Sequence, residues 1–376
     1  MGIKISNTTK FKMNLLTITL IINYCGSLYF ALSSNTFGGF LKYTTLALSA
    51  FHALLYVFFN RTKRKILLWI MVYFVLFLAY RVSKRREVLD LYTMVSFYSN
   101  VEISIMNNKF LKTTICFFVI VVLFSLLHII PLSPAFYRGE IYRNTLGFNH
   151  PNAGGYYSFL IAASLFIKDF KRKRRLTLIW LIILAIVPYV IFNCRTALIA
   201  ILVIIFAYLI NLIGLNVIKQ LLKIKFIKLL LVFLVVGLAI SLFYVSENLT
   251  SFLWLNNILS ARLENNYLYL QNYNVHILGN AGVPTWISVY DGWGVRYLDS
   301  GYMQGLLCLG LINSIMYLYI FSSAMESSVR LGNIEVVVLL TIIGLMLLVE
   351  ASPLRWYFSM PLLFQVSQSK KGKLFW

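Results

Sequence analysis

Residues 196–214, TALIAILVIIFAYLINLIG, contain no charged side chain, and similar runs recur along the whole chain. An apolar run of about 20 residues is as long, coiled as a helix, as the hydrocarbon core of a bilayer is thick. Backbone amides in lipid must be satisfied internally, which a lone segment achieves only as a helix. The recurrence therefore predicts an all-α, polytopic integral membrane protein. Composition agrees: of 376 residues 60% are apolar, and the mean hydropathy is +0.79. Charged residues make up 12%, against about a quarter in soluble domains.

Lys and Arg outnumber Asp and Glu by 34 to 12, a net charge of +22. The basic residues form short clusters between apolar runs. That is the pattern of cytoplasmic loops facing anionic lipid, so the expected partner is the bilayer and not nucleic acid. Cys25, Cys116, Cys194 and Cys308 show no CxxC spacing and read as membrane-embedded thiols, with no disulfide framework or metal site. MGIKISNTTKFKM precedes an apolar stretch long enough to span, without a small-residue cleavage site, so a retained first helix is expected.

Twelve spans are expected, at 13–32, 38–59, 66–80, 87–106, 112–130, 152–167, 176–193, 196–214, 229–245, 298–321, 334–350 and 356–367. The fourth carries Glu87, Asp90 and Glu102, an unfavourable load for a lipid-facing helix. Parity retains it. With it, RTKRK (61–65), NNKFLK (107–112), KDFKRKRR (168–175), the lysines of 219–228 and KKGK (370–373) all fall on the cytoplasmic side with both termini. Without it, KDFKRKRR lands outside, against the positive-inside rule. Arg81, Lys84, Arg85 and Arg86 remain outside, as a solvated turn or as partners of an anionic ligand. One transmembrane domain, 1–376, is expected, with a large extracytoplasmic loop at 246–297 in which 251–270 suits an amphipathic helix on the outer surface.

On this topology the outer face holds a limited chemistry. Arg143, His150 and Asn152 lie in RNTLGFNHPNAGG (143–155), and Arg195 lies in NCRTA (193–197). Arg262, His276, Trp286, Arg296 and Asp299 belong to the long loop and its exit, and Arg355 follows the eleventh span. Arg195 has almost no aqueous loop to occupy. It either snorkels to the headgroups or projects into an external cavity, where a planar guanidinium suits phosphate oxygens. Pro151 after His150 suits the first turn of a helix, whose amino-terminal end favours anions. Gly154 and Gly155 would permit close helix approach. Asp299 reads as a helix-start carboxylate or as a general base, with His150 and His276 as competing bases. The loop's aromatic and amide side chains suit sugars, and also suit any membrane interface.

Four segments in this order, RNTLGFNHPNAGG, NCRTALIA (193–200), SARLENNYLYL with ILGNAGV (260–283), and LDSGYMQGLLCLGLI (298–312), resemble the bacterial polysaccharide repeat-unit polymerases (Wzy-like), relatives of the O-antigen ligases. The resemblance covers nearly the whole chain, and G-F-x-H-P-N is its most specific part. It implies a GT-C-like glycosyltransferase at the outer face of the bacterial cytoplasmic membrane. Such an enzyme moves a growing chain from undecaprenyl pyrophosphate to a fresh lipid-linked repeat unit, building capsular, exo- or O-antigen polysaccharide with inversion. No cofactor is implied, and a flippase and a chain-length regulator are implied partners. The outer face offers arginines without the carboxylate cluster a divalent metal would want. By the same resemblance Arg143, Arg195 and Arg262 would bind the pyrophosphate, Asp299 or His150 would be the base, and Tyr302 would line the site. On the residues alone, Arg296 joins these three arginines as a fourth on the outer side able to neutralise a pyrophosphate, and Asn152 is a further candidate substrate contact. The ligases place a histidine near Asp299, which leaves the base open. An O-antigen ligase, or a flippase of lipid-linked oligosaccharide, is the alternative reading.

Overall fold

The computed structural model describes residues 6–29, 35–60, 62–98, 101–130, 136–138, 141–214, 253–258, 261–284, 286–288 and 295–364. In chain order these form α1 (Asn7–Cys25), α2 (Asn35–Phe59), α3 (Lys63–Ser83), α4 (Glu87–Tyr98) and α5 (Ile103–Leu126). A hairpin of β1 (Phe136–Arg138) and β2 (Ile141–Arg143) leads to α6 (Pro151–Asp169), α7 (Arg175–Val190) and α8 (Arg195–Ile213). Then come α9 (Leu253–Ile258), α10 (Arg262–Asn272), the hairpin of β3 (Trp286–Ser288) and β4 (Val295–Tyr297), α11 (Gly301–Gln304), α12 (Leu311–Arg330), α13 (Ile334–Met346) and α14 (Met360–Phe364).

The protein is mostly helical, and among the described residues four helices are long and apolar enough to cross a membrane: Thr36–Phe59 within α2, α3, α5 and α8. Their outward residues are apolar as well. Ile199, Leu202, Phe206 and Ile213 of α8 are exposed, where a helix in water would carry charge.

Two discontinuous compact units divide the chain, Met1–Leu55 with Phe97–Ile218, and Tyr56–Ser96 with Lys219–Trp376. In the first, α6 is the buried centre and packs on α5, α7 and α8, while α1 packs on α5. The aromatic core of this unit gathers Tyr24, Phe117, Phe148, Tyr157 and Phe192. In the second, α12 packs on α3, α13 and α14. Tyr269, Val283, Leu298, Met303, Leu307 and Cys308 form a core cluster there.

Several expected spans differ from the elements observed. The span 87–106 is the 12-residue α4 followed by a break, and α5 already begins at Ile103. NNKFLK is therefore helical, not a loop. Asn107 is buried and donates to the Ser164 carbonyl at 2.9 Å, so a tertiary hydrogen bond offsets its polarity. In α4 Val88–Val95 are buried and Asp90 is paired to Arg86 at 3.3 Å, while Glu87 is half-buried.

The span 298–321 begins only after the Ser300 cap and is interrupted. A π-helical turn, Gly305–Leu309, ends at Gly310, and α12 then runs on to Arg330. The span 334–350 ends as a helix at Met346, and 356–367 contains only the short α14 among its described residues. The described residues of 251–270 form two helices, α9 and α10, with Ala261 in the left-handed region just before α10. The ninth span, 229–245, lies outside the described residues.

Candidate functional site

In the first unit the RNTLGF loop is fastened to the end of α1. The Tyr29 amide donates to the Gly147 carbonyl at 3.0 Å and the Asn149 amide to the Ser27 carbonyl at 2.9 Å. Gly147 turns at φ +79°, a conformation glycine adopts without strain. Phe148 is fully buried, stacked on Tyr157 and edge-on to Phe192. The Tyr157 hydroxyl lies 2.9 Å from Ser27 Oγ. The glycine and phenylalanine of G-F-x-H-P-N are thus an anchor that presents the next residues.

His150 is the N-cap of α6, with Pro151 in the first position. Its Nδ1 accepts the Asn152 amide at 3.1 Å, which satisfies one of the helix's free donors. Asn152 Oδ1 accepts from Arg143 Nη2 at 2.5 Å, and Arg143 Nε donates to the Phe192 carbonyl at 3.3 Å. The Arg143 guanidinium therefore joins the first turn of α6 to the turn between α7 and α8. The glycine pair completes the junction. A Cβ on Gly154 would lie 2.2 Å from the Phe192 ring, and one on Gly155 2.6 Å from Cys194 Cβ.

The structure thus packs HPNAGG directly against FNCRTA. Asn193 turns at φ 45° and the Cys194 amide donates to the Pro188 carbonyl at 2.7 Å. Arg195 emerges from this turn as the first residue of α8. Its side chain is exposed, without a hydrogen-bond or ion-pair partner among the described residues. The end of α8 that carries it also has free backbone amides and the positive end of the helix dipole.

In the second unit Arg262 opens α10 with its side chain 15% exposed. Its Nη2 lies 3.2 Å from Glu350 Oε1 and 3.7 Å from Asp299 Oδ2. Glu350 is buried, whereas Asp299 keeps 43% of its side chain accessible. Asp299 stands just ahead of the Ser300 cap, and its carboxyl is raised above the usual range by burial, against the pull of Arg262. The Gly301 amide donates to the Leu347 carbonyl at 2.8 Å, and a Cβ on Gly301 would meet Leu347 and the Glu350 carbonyl. Close approach at Gly301 is what brings Asp299 and Glu350 to one guanidinium. Tyr302 donates its hydroxyl to the Gly344 carbonyl at 2.9 Å, so it ties α11 to α13.

ILGN (277–280) crosses the helix break. The Asn280 amide donates to the Cys308 carbonyl, and the Leu311 and Ile312 amides donate to His276 and Ile277. Arg296 lies in β4 opposite Ile287, and Trp286 in β3 opposite Tyr297; their side chains are outside the described residues. His276 is exposed, and Arg355 donates to the Tyr357 hydroxyl at 3.3 Å.

Arg143, His150, Asn152 and Arg195 belong to the first unit, and Arg262, Arg296, Asp299 and Tyr302 to the second. Glu350 is the residue sequence reasoning missed. Its signal was present: it closes IEVVVLLTIIGLMLLVE (334–350), and a carboxylate at the end of an apolar run is as unfavourable as Arg195. Compared with known proteins, the chain matches no family model, no curated protein and no solved structure.

Proposed function

We propose that this protein is an outer-face membrane glycosyltransferase that polymerises undecaprenyl-pyrophosphate-linked oligosaccharide repeat units into a surface polysaccharide. The observation that carries the reading is the junction of two resemblance segments far apart in sequence. HPNAGG and NCRTA pack through Gly154, Gly155 and the Arg143 bridge, and leave the Arg195 guanidinium exposed at a helix amino terminus. That is chemistry for a phosphate-bearing leaving group.

The chain crosses the membrane twelve times with both termini inside. We keep α4 as one of these crossings, although at 12 residues it is about 18 Å long against a core of about 30 Å. Buried in protein, α4 needs no lipid-spanning length. Its carboxy-terminal turn meets the cytoplasmic part of α1, where Lys12 Nζ donates to the Phe97 carbonyl at 2.6 Å.

In the reaction an acceptor hydroxyl oxygen bonds to the anomeric carbon from the face opposite the leaving group. The carbon–oxygen bond to lipid pyrophosphate breaks, its electron pair stays on pyrophosphate, and the hydroxyl proton goes to Asp299. Arg195 stabilises the charge that develops on the leaving group, and the raised proton affinity of Asp299 suits a base. Arg262 is already paired with two carboxylates and serves the base more than the anion. His150 uses its Nδ1 lone pair to cap α6 and shapes the entrance.

The test is the polysaccharide ladder made by cells whose only copy of the protein is a variant. Arg195→Ala and Asp299→Asn should each abolish chain extension while inserting in the membrane at normal abundance. Arg195→Lys should restore little, because an ammonium lacks the planar fork. Full-length ladders from both Arg195→Ala and Asp299→Asn would overturn the proposal.

A further inference from the structure

Two carboxylates share one nitrogen of Arg262, and they are not equivalent. Glu350 is the nearer at 3.2 Å with its side chain 8% exposed; Asp299 is the farther at 3.7 Å and 43% exposed. A buried guanidinium with a buried partner is a fixed pair, since either charge alone in that place is strongly unfavourable. The accessible carboxylate is the one able to exchange a proton with a substrate hydroxyl.

We propose that Glu350 is a positioning residue: it holds the Arg262 guanidinium against itself so that Asp299, the proposed base, is steadied by that cation without being disarmed by it. The inference rests on the proposed function for its catalytic use, though not for the arrangement itself. A base hydrogen-bonded to its own arginine would be a weak proton acceptor, because a close opposite charge favours the ionised form. Glu350 prevents this in two ways that act in the same direction. It draws the guanidinium toward itself, and its own negative charge raises the proton affinity of a neighbouring carboxylate.

The charged and titratable groups around Asp299 are Arg262 and Tyr269 on α10, Cys308 beyond Tyr269, and Glu350 after α13. Arg296 of β4 precedes it by three residues. Of these only Arg262 bridges Asp299 to a second acid among the described residues.

The experiment titrates Asp299 directly in the purified full-length protein. A water-soluble carbodiimide with an amine nucleophile modifies protonated carboxyls, and mass spectrometry of the peptide carrying Asp299 across a pH series yields a midpoint. Glu350→Gln should lower the midpoint by about one unit, the usual scale for a released opposite charge, and Glu350→Asp should return most of it. Because Glu350→Gln leaves a buried guanidinium short of a partner, a second variant guards against misfolding. Arg262→Met with Glu350→Leu replaces the pair by apolar side chains and should raise the midpoint, since Asp299 then loses its cation.

Opposite signs in the two variants uphold the proposal, and an unmoved midpoint in Glu350→Gln overturns it. The ladder assay separates the two readings. If Asp299→Asn stops chain extension while the midpoint ignores Glu350, the positioning role fails and the enzyme reading stands. If the midpoint moves as expected but Asp299→Asn still extends chains, the enzyme reading fails, and the catalytic use of Glu350 fails with it.

Discussion

At position 150 the imidazole Nδ1 accepts the Asn152 amide, so in the neutral ring the proton is on Nε2 and no lone pair is left for general-base work. Burial, and then the charge of Arg143, lowers the pKa to about 4, which keeps the capping form at neutral pH. An unfolded histidine takes up a proton near pH 6.5 and the folded one does not, so this contribution to stability is complete above that pH and declines as pH falls toward about 4. Asparagine is among the best N-caps and carries no titrating group. His150→Asn should therefore extend polysaccharide normally and lose less thermal stability than wild type between pH 7 and 5. His150→Ala should cost about 1 kcal/mol at neutral pH. A dead His150→Asn at full abundance would return the base to His150.

Among the elements, the crossing of ILGN over the helix break rests on two glycines. Gly279 and Gly310 both have φ +90°. A Cβ on Gly279 would lie 2.4 Å from the Cys308 carbonyl oxygen, and one on Gly310 2.1 Å from the Gly279 nitrogen. No side chain can yield there, because both obstacles are backbone. Gly310→Ala should cost on the order of 3 kcal/mol from backbone strain and overpacking together, read as a lower melting temperature in detergent. Gly332 makes the control. It has φ +68°, and a Cβ there would meet nothing within 4 Å. Gly332→Asn should be near neutral, since asparagine tolerates the left-handed region. The π-helical turn that these glycines serve is a common feature of functional sites, and here it sits between Asp299 and α12.

For the whole molecule, the proposed orientation has a direct check. With exposed Cys116 replaced by serine, a cysteine at Arg81 should be labelled by an impermeant thiol reagent on intact cells. A cysteine at Arg172, also exposed, should be labelled only after the membrane is opened. The reverse pattern would place the arginines of the proposed site inside and remove its access to outer-face substrates. Arg195 and Asp299 belong to different compact units, and each has its own local scaffold. Arg195 is carried by the α6–α8 junction, and Asp299 by the approach of α11 to α13.

Long apolar helices were legible in the sequence because apolar run length is a one-dimensional property, set by how many residues a helix needs to cross a bilayer. The start of α6 at Pro151 and the close approach at Gly154 and Gly155 were legible for the same kind of reason, since proline and glycine act through their own local geometry. What the sequence could not decide was where a polar residue becomes tolerable. NNKFLK reads as a loop until Asn107 finds the Ser164 carbonyl, and Asp90 of α4 reads as a liability until Arg86 and the surrounding protein cover it. Arg143, Arg195 and Arg262 looked alike as outer-face arginines, and only tertiary contacts separated them. One bridges two helix ends, one stands exposed, and one lies between two carboxylates. Charge is written in the residue, but its partner is set by chain segments tens of residues away, and the partner decides what the charge can do.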